Sequence, residues 1–509
     1  MKRGAALLFM AVLVITSVFA NGRAEEASEN EFVELKMYLV GDTVPDYDMM
    51  LDELNVLMEE DINASLDVNF TTWVDWQTKL RLILSSGEKV DLVHMAPWGI
   101  YSEQAQAGSL MDIRNLAPTY APETWNSYNP DILKQTEING GVYMMPFRYT
   151  EPIGQGIVYR KDLAKKYGIN EVNSTESLMA LLKAVHDNEA MVPFNAGEFD
   201  LTVWIGMAGM IQNSRPQSAF KVLLENTEGV IAYVNYDQPE TILYDYESAY
   251  YKETMDFMRT MYNEELIPRN VLSNTIGSRE AFLAGKSAMT TLNPLNANEE
   301  FQKIQNSNPE WELGYWLPMT TMASHEKAPA INNGMSIPTA SENPERALML
   351  LEKLHQDQRY HDLTTYGVQG VHWELTSDGE ITAPQGLDLS DSGFQWDRPC
   401  PWGWREEKFY RLNVLKSPSV WGEVKASQET MYDIGVERKW TDFTFDKSNV
   451  STEISALNTV RTGVFSALSW GLMDVEEGYQ ELIDDYDNAG IETVKQELED
   501  QWSAYLAGN

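Results

Sequence analysis

The stretch from Asn139 to Leu163, NGGVYMMPFRYTEPIGQGIVYRKDL, constrains this chain most. It opens on Asn139-Gly140-Gly141, a turn that tolerates positive φ. A short apolar run follows, Val142 to Phe147. Then come a polar and aromatic patch, Arg148-Tyr149-Thr150-Glu151, two spaced glycines and a second β-prone run, Ile157-Val158-Tyr159. Arg160-Lys161-Asp162-Leu163 enters a helix. Two extended segments joined by a polar link suit a strand that leaves one lobe and enters another. Arg148, Tyr149 and Glu151 would then face the space between lobes. A buried hairpin inside one domain is the alternative.

Upstream, β-prone and helical stretches alternate. Leu35–Val40 reads as a strand and ends at Gly41-Asp42. From Asp46, the apolar positions Met50, Leu54, Leu57, Met58 and Ile62 share one helical face. Leu66–Phe70 is a second strand and Val74–Ser86 a helix closed by Gly87. Val90–His94 is a third strand, and Gly99–Ala107 a helix ending at Gly108. Such alternation indicates an α/β lobe on a mostly parallel sheet. Ligands bind outside the carboxyl ends of strands in such sheets. That rule selects Asp42 after the first strand, Trp73, Asp75 and Trp76 after the second, and Trp98 and Tyr101 after the third.

The crossing resembles the first interlobe passage of the extracellular solute-binding proteins of ABC sugar importers, the maltose-binding-like group. There an N-G-x-x-Y-x-x-P segment leads to an I-x-Y-x-K-D-L segment. Phe282–Met289 resembles the family's F-x-x-G-x-x-A-M return segment, and Asn332–Pro338 its third crossing, followed by a helix from Pro344. The block from Phe443 to the end resembles the extra C-terminal region of larger, lipoprotein-type members. In that tail Ile491, Val494, Leu498 and Trp502 share a face, with Tyr505 close by.

The resemblance implies a two-lobed α/β fold of the type II periplasmic-binding class. The first lobe would combine 32–146 with 294–334. The second would combine 155–290 with 336–509, including an irregular elaboration at 376–448 and a helical region at 449–509. It implies capture of a carbohydrate by hinge closure and delivery to an ABC permease. It also implies a crossing carboxylate at Glu151, a contact loop at Asn195, and Asn293 and Asn296 flanking the return crossing. Asn333 lies on the third crossing. Arg148 meets ligand or bridges the lobes. At Pro294-Leu295 the chain departs from the family, whose members carry a tryptophan pair there; this leaves the sugar open.

The formal charge is −39, which argues against nucleic-acid phosphate or an anionic membrane as partner. Lys2 and Arg3, the apolar run Ala5–Ile15 and Val18-Phe19-Ala20 read as a secretory signal over residues 1–20, with a flexible leader over 21–31. An uncleaved anchor is the alternative. The single cysteine, Cys400, lies far from the cleavage site, so lipid attachment, an intrachain disulfide and a cysteine metal cluster are not expected. A soluble extracytoplasmic monomer is the expectation.

Six scattered histidines show no metal-ligand spacing, and neither a phosphate-cradling glycine motif nor a GxSxG elbow occurs. No metal or cofactor is expected. Among 77 acidic residues nothing marks a glycosidase pair, though composition alone does not exclude one. A glycan-active hydrolase and a peptide-binding protein are the rival readings. Aromatics are more informative, because sugars lay their C–H faces on Trp and Tyr rings. Trp73, Trp98, Tyr149, Trp204 and Trp402 fall on or near the expected loops and crossings.

Overall fold

A computed structural model describes residues 31–508, apart from 74, 150, 152–153, 198–199, 201–217, 225–228, 329–330, 378–380, 388–391, 395, 397–399, 412–420 and 442. The signal segment, nearly all of the leader, and Trp204 with the helix expected around it lie outside the described residues. No helix among the described residues is long and apolar enough to cross a membrane. The chain forms two compact units. Unit 1 comprises residues up to Tyr149 and Ile331–Tyr410; unit 2 comprises Thr150–Ala330 and Arg411 onward.

Unit 1 is built on strands β1 (Val33–Val40), β2 (Ala64–Thr71) and β3 (Leu92–Met95). β1 pairs in parallel with both β2 and β3. A strand from the later segment, Gly334–Ser336, then adds antiparallel to β3, and Met145–Pro146 adds antiparallel to it. β3 is buried at every position, as befits the middle of a covered sheet. Helix α1 (Tyr47–Ile62) buries Tyr47, Met50, Leu54, Met58 and Ile62, one stripe at helical spacing. Each such side chain contributes about 1.5–3 kcal/mol on leaving water. α1 stops at Asn63 in the left-handed region, and Arg346 from the later segment donates to the carbonyls of Ile62 and Asn63. A guanidinium there satisfies the open carbonyl end of a helix and its partial negative charge. Helix α2 (Trp76–Ser86) buries Trp76, Leu80 and Ile83 and ends at Gly87.

Unit 2 centres on Gly156–Arg160, flanked antiparallel by Met289–Leu292 and Leu313–Trp316. A second three-stranded sheet runs from Phe220 to Tyr244. The C-terminal helix Ile491–Gly508 buries Ile491, Val494, Leu498 and Trp502, the face read from the sequence, into the core of this unit.

The division of the chain corrects the expected lobes. Residues 294–330 belong to unit 2, because Leu313–Trp316 pairs with Ile157–Arg160. Residues 336–410 belong to unit 1, where the helix Pro344–Gln356 buries Leu348, Leu351 and Leu354 in the core that holds Met50 and Met58. The elaboration expected at 376–448 is therefore cut at Tyr410. A short β-prone run carries no local mark of which sheet it completes, since its partner is remote in sequence.

Candidate functional site

Because β1, β2 and β3 run parallel, the loops after Val40, Thr71 and Met95 emerge at one edge of the unit 1 sheet. Gly334 pairs with Met95 and with Pro146. The antiparallel strand therefore begins at that edge with Asn332-Asn333 before it, and Phe147–Tyr149 leave from the same edge. Three tryptophans converge there. The Trp73 ring stacks against Trp98, with centroids 6.3 Å apart and planes at 29°, and against Trp402, at 5.5 Å and 26°. Trp73 is 39% exposed and Trp98 40%, while Trp402 is half-buried. Trp76 is buried, 5.2 Å from the Trp98 ring and 6.2 Å from that of Trp73.

Each ring is held. Trp98 donates its Nε1 proton to the Asn332 carbonyl at 2.8 Å. Gly99 lets Trp76 approach, since a Cβ there would meet the Trp76 ring at 2.7 Å. Trp402 sits in a short turn, Pro401–Gly403, entered from Cys400 at φ 52. A buried cysteine in the left-handed region just before a proline is a strained geometry, of the kind that concentrates at functional sites. A Cβ at Gly403 would meet Met335 Sδ at 2.4 Å, so glycine seats this turn on the central strands.

Beneath the rings lies His94, wholly buried on β3, 5.5 Å from Trp76 and 6.4 Å from Trp402. Its Nε2 lies 3.1 Å from Asn333 Oδ1, which only accepts, so Nε2 carries the proton. Burial pushes the pKa down to about 4, against the opposing Asn333 bond. The imidazole is thus neutral, and Nδ1 faces inward without a hydrogen-bond partner. A ring-lined surface over a neutral imidazole matches a ligand with C–H faces.

Other expected residues are placed as follows. Asp42 is exposed, next to Gly41, whose added Cβ would lie 3.8 Å from Trp73 Nε1. Asp75 is exposed and accepts from Thr72 Oγ1 at 2.9 Å. Arg148 donates through Nε to Glu406 at 2.7 Å, and His355 Nδ1 lies 2.6 Å from the same oxygen. Glu406 is in unit 1, so this ion pair lies within one unit and does not join the two. Tyr149 packs on Tyr410, with centroids 4.9 Å apart. Glu151, Asn195, Asn293 and Asn296 belong to unit 2. The Asn195 amide oxygen accepts from Asn274 at 3.0 Å. Asn293 accepts from the Asn296 backbone N–H at 2.8 Å and caps the helix Pro294–Ser307. The structure therefore gathers Trp73, Trp98, Asn333 and Trp402 into one site in unit 1, with Asp42 beside it.

Sequence reading missed His94, Asn332 and Glu406. His94 gave no signal, because a histidine in an apolar strand reads as core. The Trp-Gly pairs at 98–99 and 402–403 are a weak signal, since 421–422 and 470–471 repeat them in unit 2.

Residues 50–354, more than half of the chain, match the bacterial extracellular solute-binding protein family. The chain belongs to this family. Residues 439–507 match a second one, described as a domain of unknown function (DUF3502). A carbohydrate ABC transporter substrate-binding protein from Streptococcus pneumoniae is 23% identical over 480 residues, 93% of this chain and 91% of the relative. Two crystal structures of the N-glycan transport solute binding protein NgtS, also from Streptococcus pneumoniae, are similar in fold. The complex with Man1GlcNAc superposes with a TM-score of 0.73 at 21% identity, covering 93% of this chain and 100% of the other. The complex with Man5GlcNAc gives 0.73 at 21%, covering 94% and 99%. These likenesses show the fold, the type II α/β class expected from the sequence.

Proposed function

We propose that this chain captures an oligosaccharide outside the cytoplasm and delivers it to the permease of an ABC transporter. The observation that carries this reading is the set of stacked, partly exposed rings Trp73, Trp98 and Trp402 at the carboxyl edge of the unit 1 sheet. The relatives support it by their printed descriptions, one a carbohydrate ABC transporter substrate-binding protein and one crystallised with N-glycan fragments. Asn333 fixes the His94 tautomer below the rings, and Asn332 fixes Trp98. Capture needs no covalent step. A ligand with higher affinity for one arrangement of the two units shifts the population toward it by that difference alone. The protein acts as a soluble monomer and returns its glycan unchanged.

The test is a thermal-shift series with monosaccharides, Man1GlcNAc and Man5GlcNAc. A glycan at a hundred times its Kd stabilises the native state by about 2.7 kcal/mol. Trp98→Ala is expected to weaken binding of the glycan that stabilises by about 10-fold or more, through lost ring contact and water exclusion, with far-UV circular dichroism unchanged. Glycan binding unaffected by Trp98→Ala moves the site elsewhere. Cleavage of the glycan on long incubation overturns the non-enzymatic reading.

A further inference from the structure

We propose that Asp46 and His372 are positioning residues for Trp402: they clamp the chain that carries this ring onto the start of α1 and so hold the ring against Trp73. This rests on the glycan reading above, in which Trp402 meets ligand. The turn that presents Trp402 needs holding. Cys400 stands at φ 52 before Pro401, and strain of that kind persists only where the surroundings fix it.

Asp46 is the N-cap of α1, a position where an aspartate ordinarily accepts from the helix's own N–H groups. Here its side chain makes no such bond. Its Oδ2 lies 3.2 Å from His372 Nε2, on a residue 326 positions away in the chain. His372 Nδ1 accepts from the Val368 backbone N–H at 2.9 Å, so Nε2 carries the proton and donates to the carboxylate. A second bond joins the same segments, from the Asp46 backbone N–H to the Gly393 carbonyl at 2.9 Å. Two glycines make room for this grip. A Cβ on Gly393 would meet Asp46 Oδ2 at 2.0 Å, and one on Gly367, at φ 82, would meet His372 Nδ1 at 2.6 Å and the Phe394 ring at 2.9 Å. The Phe394 ring lies 5.5 Å from His372, and Trp396 donates its Nε1 proton to the His372 carbonyl at 3.1 Å. Phe394, Cys400 and Trp404 are buried in the same core as Tyr47, the residue after Asp46. The clamp thus grips the chain just ahead of Cys400, and the strained turn starts from a fixed point.

A purely structural tie is the rival explanation, and Trp402 separates the two. Asp46 is only half-buried, so its substitution leaves the core intact. The wild type, Asp46→Ala, Asp46→Asn and Gly393→Ala are compared, with Asp46→Ala also made in a Trp402→Ala background. Binding of Man5GlcNAc is read by calorimetry, and the stacked indoles by near-ultraviolet circular dichroism without ligand. Asp46→Ala and Gly393→Ala should each weaken binding about 5-fold or more, and lose about half or more of the dichroism band that Trp402→Ala removes. Asp46→Asn keeps an acceptor for His372 and should stay within about 2-fold of the wild type. In the Trp402→Ala background the further loss from Asp46→Ala should shrink below about 2-fold, because residues that act through one ring are not additive. A full loss in that background, or a lowered melting temperature with band and affinity unchanged, overturns the positioning role and leaves the glycan reading standing. Wild type that does not bind Man5GlcNAc overturns the glycan reading, while the ligand-free band still decides the clamp.

Discussion

Two aromatic clusters of similar composition do different things in this molecule. In unit 1, Trp73, Trp98 and Trp402 stack with two rings about two-fifths exposed. In unit 2, Trp502 meets Trp440 at 5.4 Å, Phe443 at 4.8 Å and Tyr505 at 5.5 Å, but it is only 1% exposed. Both anchor an indole N–H on a backbone carbonyl, Trp98 on Asn332 and Trp502 on Pro239. Anchoring therefore does not distinguish them. What differs is exposure: one set of rings lies partly open at the sheet edge, the other packs the C-terminal helix into the core of unit 2. The same chemistry leaves rings partly open to solvent in the first place and buries them in the second.

The comparison breaks most sharply at Trp502. Trp502→Ala is expected to cost about 3–5 kcal/mol of stability by removing a buried ring and leaving a cavity. Glycan affinity measured by calorimetry below the lowered melting temperature should stay at the wild-type value. A loss of affinity comparable to that of Trp98→Ala would erase the distinction between the clusters.

The next effect belongs to His94. Its folded pKa, about 4, lies below the ordinary value of 6.5, so the unfolded chain takes up the proton first. The stability this contributes is fully present above pH 6.5 and is lost as pH falls through 4, to a total of about 3 kcal/mol. Urea unfolding of the wild type and His94→Gln at pH 7, 5.5 and 4 checks this. The wild type should lose about 3 kcal/mol more than the variant over that range. Parallel pH curves would mean that His94 titrates alike in the folded and unfolded chain, so that its burial does not disfavour the charge.

The smallest effect sharpens the assignment in unit 2. Asn293→Ala removes a helix cap and should cost about 1 kcal/mol, with glycan affinity unchanged. A drop in affinity without a drop in melting temperature would return Asn293 to the ligand.

Much of unit 1 was legible locally. The stripe Met50–Leu54–Met58–Ile62 and the loops after the three parallel strands follow from periodicity and from the rule for open α/β sheets. Hence Trp73 and Trp98, which the structure brings together, were both named as candidates. Trp402, which stacks on Trp73, was named as an aromatic near expected loops, but within a segment assigned to the wrong unit. The ownership of 294–330 and 336–410 was not legible, because it depends on which sheet a strand such as Leu313–Trp316 joins. Glu406 was hidden for a related reason. Its partners Arg148 and His355 are 258 and 51 residues away, and no spacing rule reaches so far.

The interleaving of the chain has a consequence for the order in which the molecule assembles. Until Gly334–Ser336 has emerged, β3 has no neighbour on one side, and until Arg346 follows, the carbonyl end of α1 is open. The first 149 residues thus cannot close their own core during synthesis. Residues 156–316, by contrast, hold all three strands of the sheet centred on Gly156–Arg160. Pairings between distant segments are slow to form. The amino-terminal third of the chain therefore lacks part of its own core until about two thirds of the chain has been made.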